Sequence, residues 1–403
     1  MKKREVERAE QGAFEVPGFS FGTATAGLKE SGAPDIGLIV ASRPVAAGGV
    51  FTRNRFRAAP VDLAVQRLTA GRLRALVVNS GNANACTGPR GRRDAQAMCV
   101  AAAACLGIAP SDVAPASTGL IGAPLAMGKV QRGIRAAARS LRPSGAADFA
   151  DAIRTTDAFA KIVATTVPGR DGPVRILGIA KGAGMIAPEM ATLLVFVLSD
   201  ADLFPLEARR VARAIAGSSF NELSVDGDTS TNDSLFVLAS GAARLRRTGR
   251  RLPENFLEAA KQIGRDLAVL VARDGEGATK VVHLEVRGAA NEAEARQVAR
   301  TVSRSTLVKA AFHGADPNWG RIACAIGYSG VAVDPERVSI AIGGVPVFAG
   351  GVGVAGSRAR ARRRMQASEV EVVIELGRGQ ARAGAITSDL SPAYVKFNSA
   401  YST

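Results

Sequence analysis

Histidine is scarce in this 403-residue sequence, which contains only His283 and His313. A Ser-His-Asp or Cys-His catalytic apparatus would have to use one of these two residues. His283 lies in the alternating pattern of a predicted strand, where we expect a structural role. His313 lies in a predicted polar loop and is the better candidate, but no nucleophile motif points to it. The spacing of His and Cys residues matches no metal-binding pattern, so we expect no metal site.

Cysteine is also scarce, and long apolar runs are absent from the sequence. The four cysteines form no Cys-x-x-Cys pair, and a chain of this length does not need disulfides, so we predict reduced, buried thiols at Cys86, Cys99, Cys105 and Cys324. No apolar run reaches the roughly 18 residues of a transmembrane helix. The charged first residues lead into no segment typical of a secretory signal. These features predict a cytoplasmic protein with no membrane partner.

Aromatic residues make up only 5% of the chain, whereas hydrophobic residues make up 47% and charged residues 22%. This composition excludes a disordered or collagen-like chain. A core that is poor in aromatics and rich in small aliphatic residues favours layered α/β structure with close backbone approaches. The length exceeds that of a single core. We therefore predict a catalytic α/β core over residues 1–280 and a smaller C-terminal α/β module over residues 281–403.

Acidic residues are outnumbered, because 36 Asp and Glu face 52 Lys and Arg, giving a net charge of +16. Such a charge attracts polyanions. The densest basic runs, residues 243–252 and 357–366, carry no interleaved aromatics and no known nucleic-acid module. We therefore favour a solvated arginine-rich surface without a nucleic-acid partner. A basic nucleic-acid-binding protein is kept as an alternative of another class.

The local patterns predict several elements around polar motifs. The apolar run at residues 75–79 predicts a buried strand, and residues 94–108 predict a helix after a turn-rich loop, as in an α/β crossover. Two apolar runs flank the glycine-rich linker at residues 181–189, and their length favours a strand on each side. Residues 202–219 predict a helix, and the polar loop at residues 224–233 leads into a further strand. From about residue 280, strands and helices alternate.

A nucleophile that needs no histidine is an N-terminal threonine, whose own α-amine is the base for its hydroxyl. The unperturbed pKa of an α-amine is about 7.7–8.0, close to working pH. An internal threonine becomes N-terminal when its hydroxyl attacks the preceding carbonyl, forms an ester and loses the upstream chain to water. The Ala191–Thr192 bond meets these demands, because a small residue precedes it, Gly182, Gly184 and Pro188 lie upstream and an apolar run follows. The alternative is an ordinary threonine that opens a strand.

Eight segments, spread over essentially the whole chain, carry a resemblance to a known family. The segments are KGAGMIAPEMATLLVFVLSDA (residues 181–201), NSGNANACTG (79–88), STGLIG (117–122), TTD (155–157), SFNELSVDGDTSTND (219–233), DGEGATK (274–280), LVKAAFHGADPNWGRI (307–322) and YVKFNSAYST (394–403). In their composition and in their order along the chain, these segments resemble the ornithine acetyltransferase family, the glutamate N-acetyltransferases of cyclic arginine biosynthesis. The resemblance implies a layered α/β fold of the N-terminal-nucleophile type.

The resemblance also implies roles for individual residues. Thr192 would be the nucleophile, and cleavage between Ala191 and Thr192 would give an α chain of residues 1–191 and a β chain of residues 192–403. Thr118 and Gly119 match the pair that stabilises the oxyanion. The positions that match the substrate-binding residues of the family are Thr156, Lys181, Thr192, Glu276, Asn398 and Thr403. In that assignment, Lys181 offers a cation to a carboxylate and Glu276 an anion to an ammonium group.

The reaction that the resemblance implies is acetyl transfer from N-acetylornithine to glutamate through an acetyl-threonine, with no cofactor and with two α and two β chains as a heterotetramer. Acetyl-CoA as a second donor is left open. An N-terminal-nucleophile aminopeptidase or amidase, which would pass the acyl group to water, is the alternative enzyme. The chain departs from many members at Ala187-Pro188-Glu189, where they carry His-Pro-Asn. Since the reaction needs no imidazole, we expect self-cleavage to occur.

Overall fold

A computed structural model describes residues 14–187, 193–249 and 251–400. The described strands are β1 (Phe19–Ala24), β2 (Ile36–Phe51), β3 (Arg72–Asn82), β4 (Val113–Leu120), β5 (Lys161–Pro168), β6 (Pro173–Lys181), β7 (Leu194–Ala201), β8 (Leu223–Ser224), β9 (Ser234–Ala243), β10 (Val281–Ala289), β11 (Ser339–Ile342), β12 (Val345–Ala349), β13 (Val352–Gly353), β14 (Glu369–Glu375) and β15 (Ala381–Ser388). The described α-helices are α1 (Ala59–Arg67), α2 (Gly88–Leu106), α3 (Met127–Arg139), α4 (Ala146–Ala152), α5 (Pro205–Gly217), α6 (Glu254–Arg273), α7 (Glu292–Arg304), α8 (Thr306–His313), α9 (Trp319–Gly327), α10 (Arg358–Arg364) and α11 (Pro392–Ala400).

The larger sheet carries the candidate site. Across the described ranges it contains eight strands in the order β4-β3-β2-β9-β7-β6-β5, and β1 pairs with β2. The pairs β3/β4 and β7/β9 are parallel, and the other pairs are antiparallel. Helix α2 connects the parallel strands β3 and β4, which confirms the predicted crossover. The strands predicted on both sides of the glycine-rich linker are β6 and β7.

Because helices cover both faces of this sheet, the sequences of its central strands are continuous runs of apolar residues. All eight residues of β7 are buried, and they alternate between two cores. Val195 and Val197 point towards α5 and α6, whereas Phe196 points to the opposite face. There Phe196 stacks on Phe236 and meets Phe149 edge to face, with ring centroids 5.8 and 5.2 Å apart. Other buried phenylalanines lie in the core on the α5 and α6 side. The prediction of a layered α/β fold is confirmed.

The smaller sheet contains seven strands within the described part of the chain, in the order β13-β12-β11-β14-β10-β15-β8. Its apolar residues form a separate core with those of α7, α8, α9 and α10. Helix α6 contacts both β6 of the larger sheet and β15 of the smaller one. Strand β8 pairs with β15 although it precedes residue 281 in the chain. The division at residue 280 stays a prediction.

The cysteine prediction is wrong in part. All four thiols are free, but only Cys99 is buried, whereas Cys86, Cys105 and Cys324 are exposed. Cys99 lies on the inner side of α2, where burial raises the pKa of its thiol to about 12. Composition alone does not tell which side of a helix a cysteine occupies. None of the described helices has the length and apolarity needed to cross a membrane.

Candidate active site

A cavity of about 160 Å³ lies where β4 and β6 end, and it is closed by the loop before β9, the turn after α6 and helix α11. An apolar cavity of about this volume accommodates a molecule of benzene size. The cavity therefore fits a small molecule and not a polymer. Both signs of charge occur in its lining, since Lys181 and Glu276 both face it.

Thr118 and Gly119 form the wall at the end of β4. The backbone φ of Gly119 is +129°, a value that residues with a side chain rarely adopt. A Cβ on Gly119 would lie 2.3 Å from the carbonyl carbon of Gly81 on β3. Only glycine therefore allows the two strands to approach this closely, and the close approach places the backbone of residue 119 at the cavity.

The amide group of Asn232 fixes this wall from the neighbouring loop. Its Nδ2 donates to the carbonyl oxygens of Ala83 at 2.7 Å and of Ser117 at 2.8 Å. The Ser117 hydroxyl in turn donates to Asn79 Oδ1 at 2.6 Å. Since all four groups are buried, these hydrogen bonds hold the end of β4 without help from solvent.

Lys181 ends β6, and its side chain is 2% exposed. Its Nζ donates to Thr155 Oγ1 at 2.6 Å and to Thr118 Oγ1 at 3.2 Å, and lies 3.6 Å from Asp157 Oδ2. Burial lowers the pKa of Lys181, and Lys161 lowers it further, whereas the charges of Asp157 and Glu276 oppose that shift. A carboxylate bound in the cavity would add one more charge that favours the protonated amine.

Beneath Lys181 lies a buried group of alternating charges. Lys161 Nζ donates to Asp157 Oδ1 at 2.7 Å and to Asp274 Oδ2 at 2.5 Å. Asp157 also accepts from the backbone N–H of Gly182 at 2.6 Å. Although burial raises the pKa of Asp157, the charges of Lys181 and Lys161 outweigh that effect and hold it below the usual range. Asp157 therefore stays ionised between the two lysines.

Glu276 is fixed opposite by its backbone and by α11. Its N–H donates to the carbonyl oxygen of Ala183 at 2.9 Å, and Asn398 Nδ2 donates to its Oε2 at 3.0 Å. A Cβ on Gly184 would lie within 2.6 Å of the Glu276 carboxylate, so a side chain at residue 184 would displace that carboxylate from its present position. Tyr394 of α11 lines the same cavity, and burial together with the charge of Asp226 raises the pKa of its phenol.

Six of the residues singled out from the sequence line this one cavity: Thr118, Gly119, Thr156, Lys181, Glu276 and Asn398. Ala191, Thr192 and Thr403 lie outside the described residues. Of the adjacent Thr155 and Thr156, the hydroxyl that accepts a hydrogen bond from Lys181 is that of Thr155. Their roles in binding and catalysis stay predictions.

Sequence reasoning missed the residues beneath the cavity. Asp157 and Asp274 lie inside two of the motifs but were assigned no role, and Lys161 gave no signal because it opens an ordinary strand. The polar loop at residues 224–233 leads into β9 as predicted, and the hydrogen bonds of Asn232 show that it also holds the end of β4.

Neither histidine lines the cavity. His283 pairs with Glu369 on the neighbouring strand β14 at 3.2 Å. His313 ends helix α8, contrary to the predicted loop, and its Nδ1 lies 2.8 Å from Asp389 Oδ2. Among the residues that the structure describes, no group of His, Cys, Asp and Glu could hold a metal ion.

Known proteins resemble this chain over almost its full length. Residues 20–403 match the ArgJ family. The arginine biosynthesis bifunctional protein ArgJ of Syntrophotalea carbinolica is 46% identical over 391 residues, which cover 96% of this chain and 99% of that protein. The protein of the same name from Symbiobacterium thermophilum is 46% identical over 390 residues, or 96% and 97% of the two chains.

Two chains of known structure are similar in sequence to about half of this chain each. A chain of the ArgJ protein from Bacillus halodurans is 41% identical and covers 51% of this chain and 98% of its own, with a TM-score of 0.49. A chain of ornithine acetyltransferase from Mycobacterium tuberculosis, solved in complex with ornithine, is 42% identical and covers 46% and 96% of the two chains, with a TM-score of 0.42.

Proposed function

Because the chain belongs to the ArgJ family, we propose that it is an arginine-biosynthesis enzyme that transfers an acetyl group from N-acetylornithine to glutamate. The observation that carries this proposal is the cavity in which Lys181 and Glu276 lie together with the Thr118–Gly119 wall. A cation, an anion and an oxyanion site in one small cavity suit an acetylated amino acid. N-acetylornithine brings an α-carboxylate, a side-chain ammonium group and an acetyl carbonyl.

The first chemical step is self-cleavage. The Thr192 hydroxyl oxygen attacks the carbonyl carbon of Ala191, the C–N bond breaks, and the nitrogen takes up the proton that the hydroxyl loses. The resulting ester joins residues 191 and 192. Water then hydrolyses the ester, which leaves a carboxylate on Ala191 and restores the hydroxyl of Thr192 beside a free α-amine. Severing its own amide bond thus supplies the base that the nucleophile needs.

The first half of the transfer acylates Thr192. Its hydroxyl attacks the acetyl carbon of N-acetylornithine while the α-amine takes the proton. The hydroxyl of Thr118 and the backbone N–H of Gly119 stabilise the negative charge that develops on the acetyl oxygen. The amine then gives its proton to the departing nitrogen, and ornithine leaves. Thr192 now carries the acetyl group as an ester.

The second half returns the enzyme to its starting state. The amine of glutamate attacks the ester carbon, the α-amine of Thr192 accepts the amine proton, and the bond to the threonine oxygen breaks as that oxygen is protonated. The product is N-acetylglutamate. Lys181 pairs with the α-carboxylate of each amino acid, whereas Glu276 receives the side-chain ammonium group of ornithine. Thr156, Asn398 and Thr403 complete the binding site.

The assembly and the range of donors belong to the same proposal. The two products of cleavage, residues 1–191 and 192–403, stay together as α and β chains and form a heterotetramer with two copies of each. Strands β6 and β7, which flank the cleavage bond, are hydrogen-bonded neighbours in one sheet, which supports the view that the chains stay associated. Acetyl-CoA as a second donor is tested in the assay below.

Acetyl exchange distinguishes transfer from hydrolysis. Purified protein is incubated with N-acetylornithine and isotopically labelled ornithine, and label in N-acetylornithine is measured. We expect exchange without glutamate and net formation of N-acetylglutamate when glutamate is added. Release of acetate alone would contradict the proposal and support the amidase alternative. Replacing N-acetylornithine by acetyl-CoA in the presence of glutamate measures the second donor activity directly.

A further inference from the structure

The linker that follows β6 is held by reciprocal hydrogen bonds to the loop before β9. The Asp226 carboxylate accepts from the backbone N–H of Met185 at 2.5 Å and of Ile186 at 2.8 Å. In return, the carbonyl oxygen of Ile186 accepts from the N–H groups of Val225, Asp226 and Gly227 at 2.8, 3.3 and 3.3 Å. The two segments are therefore joined by five hydrogen bonds, which involve six backbone groups and one carboxylate.

Met185 has an unusual backbone conformation at the centre of this contact. Its φ is +57°, in the left-handed region. This region costs a residue with a side chain about 1–2 kcal/mol, whereas glycine enters it freely. Met185 is not a glycine although Gly184 precedes it, so the left-handed turn depends on its partners. The turn directs the N–H groups of Met185 and Ile186 to the same side, and both donate to the Asp226 carboxylate.

The same loop also holds the chain beyond the proposed cleavage bond. Asp233 Oδ1 accepts from the N–H of Leu193 at 2.8 Å, and the N–H of Ser234 donates to the carbonyl oxygen of Leu193 at 2.9 Å. One loop thus contacts the chain at Ile186 and again at Leu193. Between these two points lie the residues that include the Ala191–Thr192 bond.

Self-cleavage by an internal hydroxyl depends on the geometry of approach. Attack requires the oxygen and the carbonyl carbon to be held at about 3–3.5 Å, and a misplacement of about 1 Å can cost roughly 100-fold in rate. The direction in which the chain leaves Ile186 sets where the following residues can lie. A conformation imposed at Met185 is therefore part of this geometry.

We propose that Asp226 is a positioning residue for self-cleavage, which it promotes by holding Met185 in the left-handed conformation. The inference rests on the proposed self-cleavage. Asp226 takes no part in the bond-making steps. After cleavage, its hydrogen bonds to Met185 and Ile186 would join the α chain to the β chain.

The test follows self-cleavage and not acetyl transfer. The wild-type precursor, Asp226→Asn, Met185→Gly and the double variant are made by cell-free synthesis. Translation is stopped, and the loss of the full-length chain is followed on denaturing gels. Asparagine retains the size of the side chain but replaces one acceptor oxygen by a donor. Asp228→Asn is the matched control, because Asp228 is exposed and is two residues away on the same loop.

We expect Asp226→Asn to cleave at least tenfold more slowly than the wild type, and Asp228→Asn and Met185→Gly to cleave within about twofold of it. Glycine adopts the left-handed conformation unaided, so the double variant should cleave at least threefold faster than Asp226→Asn. Loss of folding alone would not be rescued by glycine at residue 185. The inference would be overturned if Asp226→Asn cleaved at the wild-type rate, or if the double variant cleaved as slowly as Asp226→Asn. A wild-type chain that stays uncut would instead contradict the proposed function.

A second pair of variants tests the conformation when the carboxylate is intact. Met185→Ile introduces a β-branched side chain, which strongly disfavours positive φ, whereas Met185→Leu keeps a similar volume without branching at Cβ. We expect Met185→Ile to cleave at least threefold more slowly than Met185→Leu. Equal rates would show that the left-handed conformation does not limit cleavage, and the inference would fall.

Discussion

Lys161 donates to Asp157 across 2.7 Å, and neither side chain is exposed to solvent. A buried ion pair contributes little net stability, but removing one partner leaves the other charge buried without compensation. Lys161 also pairs with Asp274 at 2.5 Å, so its removal affects two carboxylates. Without Lys161, the positive charge of the neighbouring Lys181 would have to compensate the negative charges of both carboxylates.

The first prediction concerns stability. Lys161→Met should lower the free energy of unfolding by about 3–5 kcal/mol, because Asp157 and Asp274 lose their shared cation. Urea denaturation measures this loss. Lys261→Met is the control, since Lys261 pairs with Glu258 at 2.5 Å on the surface, where such pairs contribute about 0–1 kcal/mol. Equal losses in the two variants would contradict the importance of the buried group.

The second prediction concerns recognition of the substrate carboxylate. Lys181→Met should raise KM for N-acetylornithine roughly 10–100-fold, because a hydrogen bond to a charged group contributes about 1.5–3 kcal/mol. Steady-state kinetics measure this change. Lys129→Met removes an exposed lysine and should leave KM unchanged.

A modified substrate separates this role from a structural one. When the carboxylate of N-acetylornithine is replaced by a neutral amide, the wild type should lose most of its kcat/KM. The Lys181→Met variant should treat acid and amide nearly alike. A variant that still prefers the acid as strongly as the wild type would rule out Lys181 as the carboxylate anchor.

The third prediction uses two glycines of the same region. Gly119→Ala should destabilise the protein by about 2–6 kcal/mol, since the new Cβ meets the Gly81 carbonyl carbon at 2.3 Å and the backbone φ is +129°. Gly122→Ala also has a positive φ, +87°, but its Cβ would meet nothing within 4 Å. It should cost only about 1–2 kcal/mol. Thermal melting of both variants measures the difference, and a smaller loss at residue 119 would refute the steric argument.

The fourth prediction concerns pH. Burial raises the pKa of Glu222 to about 7, although Arg296 and Arg265 oppose the shift. The folded protein therefore retains this proton between about pH 4.5 and 7, where the unfolded chain has lost it, and stability falls as pH rises through that window. Glu222→Gln should reduce the loss of unfolding free energy between pH 5 and pH 8 by up to about 2–3 kcal/mol.

A matched carboxylate provides the control for this pH effect. Glu258 lies on the surface of α6, and the hydrogen bond from Lys261 lowers its pKa. Glu258→Gln should leave the pH dependence of stability between pH 5 and pH 8 unchanged. If Glu222→Gln and the wild type lose the same stability over this range, Glu222 does not carry the raised pKa.

The sequence predicted the cavity-lining residues that lie in recognisable local motifs. Thr118 and Gly119 end a strand, and Lys181 and Glu276 lie in glycine-containing linkers, so the resemblance could place them at the cavity. Their supporting charges could not be found in this way. Lys161 opens a strand that looks amphipathic, and its complete burial depends on Asp274 from a turn more than one hundred residues away.

Other differences have the same physical origin. Which of the adjacent hydroxyls, Thr155 or Thr156, bonds Lys181 depends on the direction of one turn, which residue type does not determine. The exposed Cys105 and Cys324 lie on helices whose buried sides are set by the packing of neighbouring elements. The left-handed Met185 gave no signal, because methionine is not a residue that such a conformation favours.

The most direct test of the central claim is the intact mass of the purified protein together with its acetyl-transfer activity. The account predicts that the wild type consists of two chains separated between Ala191 and Thr192, and that Thr192→Ala is one uncut, inactive chain. An uncut wild type that transfers acetyl groups, or a Thr192→Ala variant that does so, would contradict it.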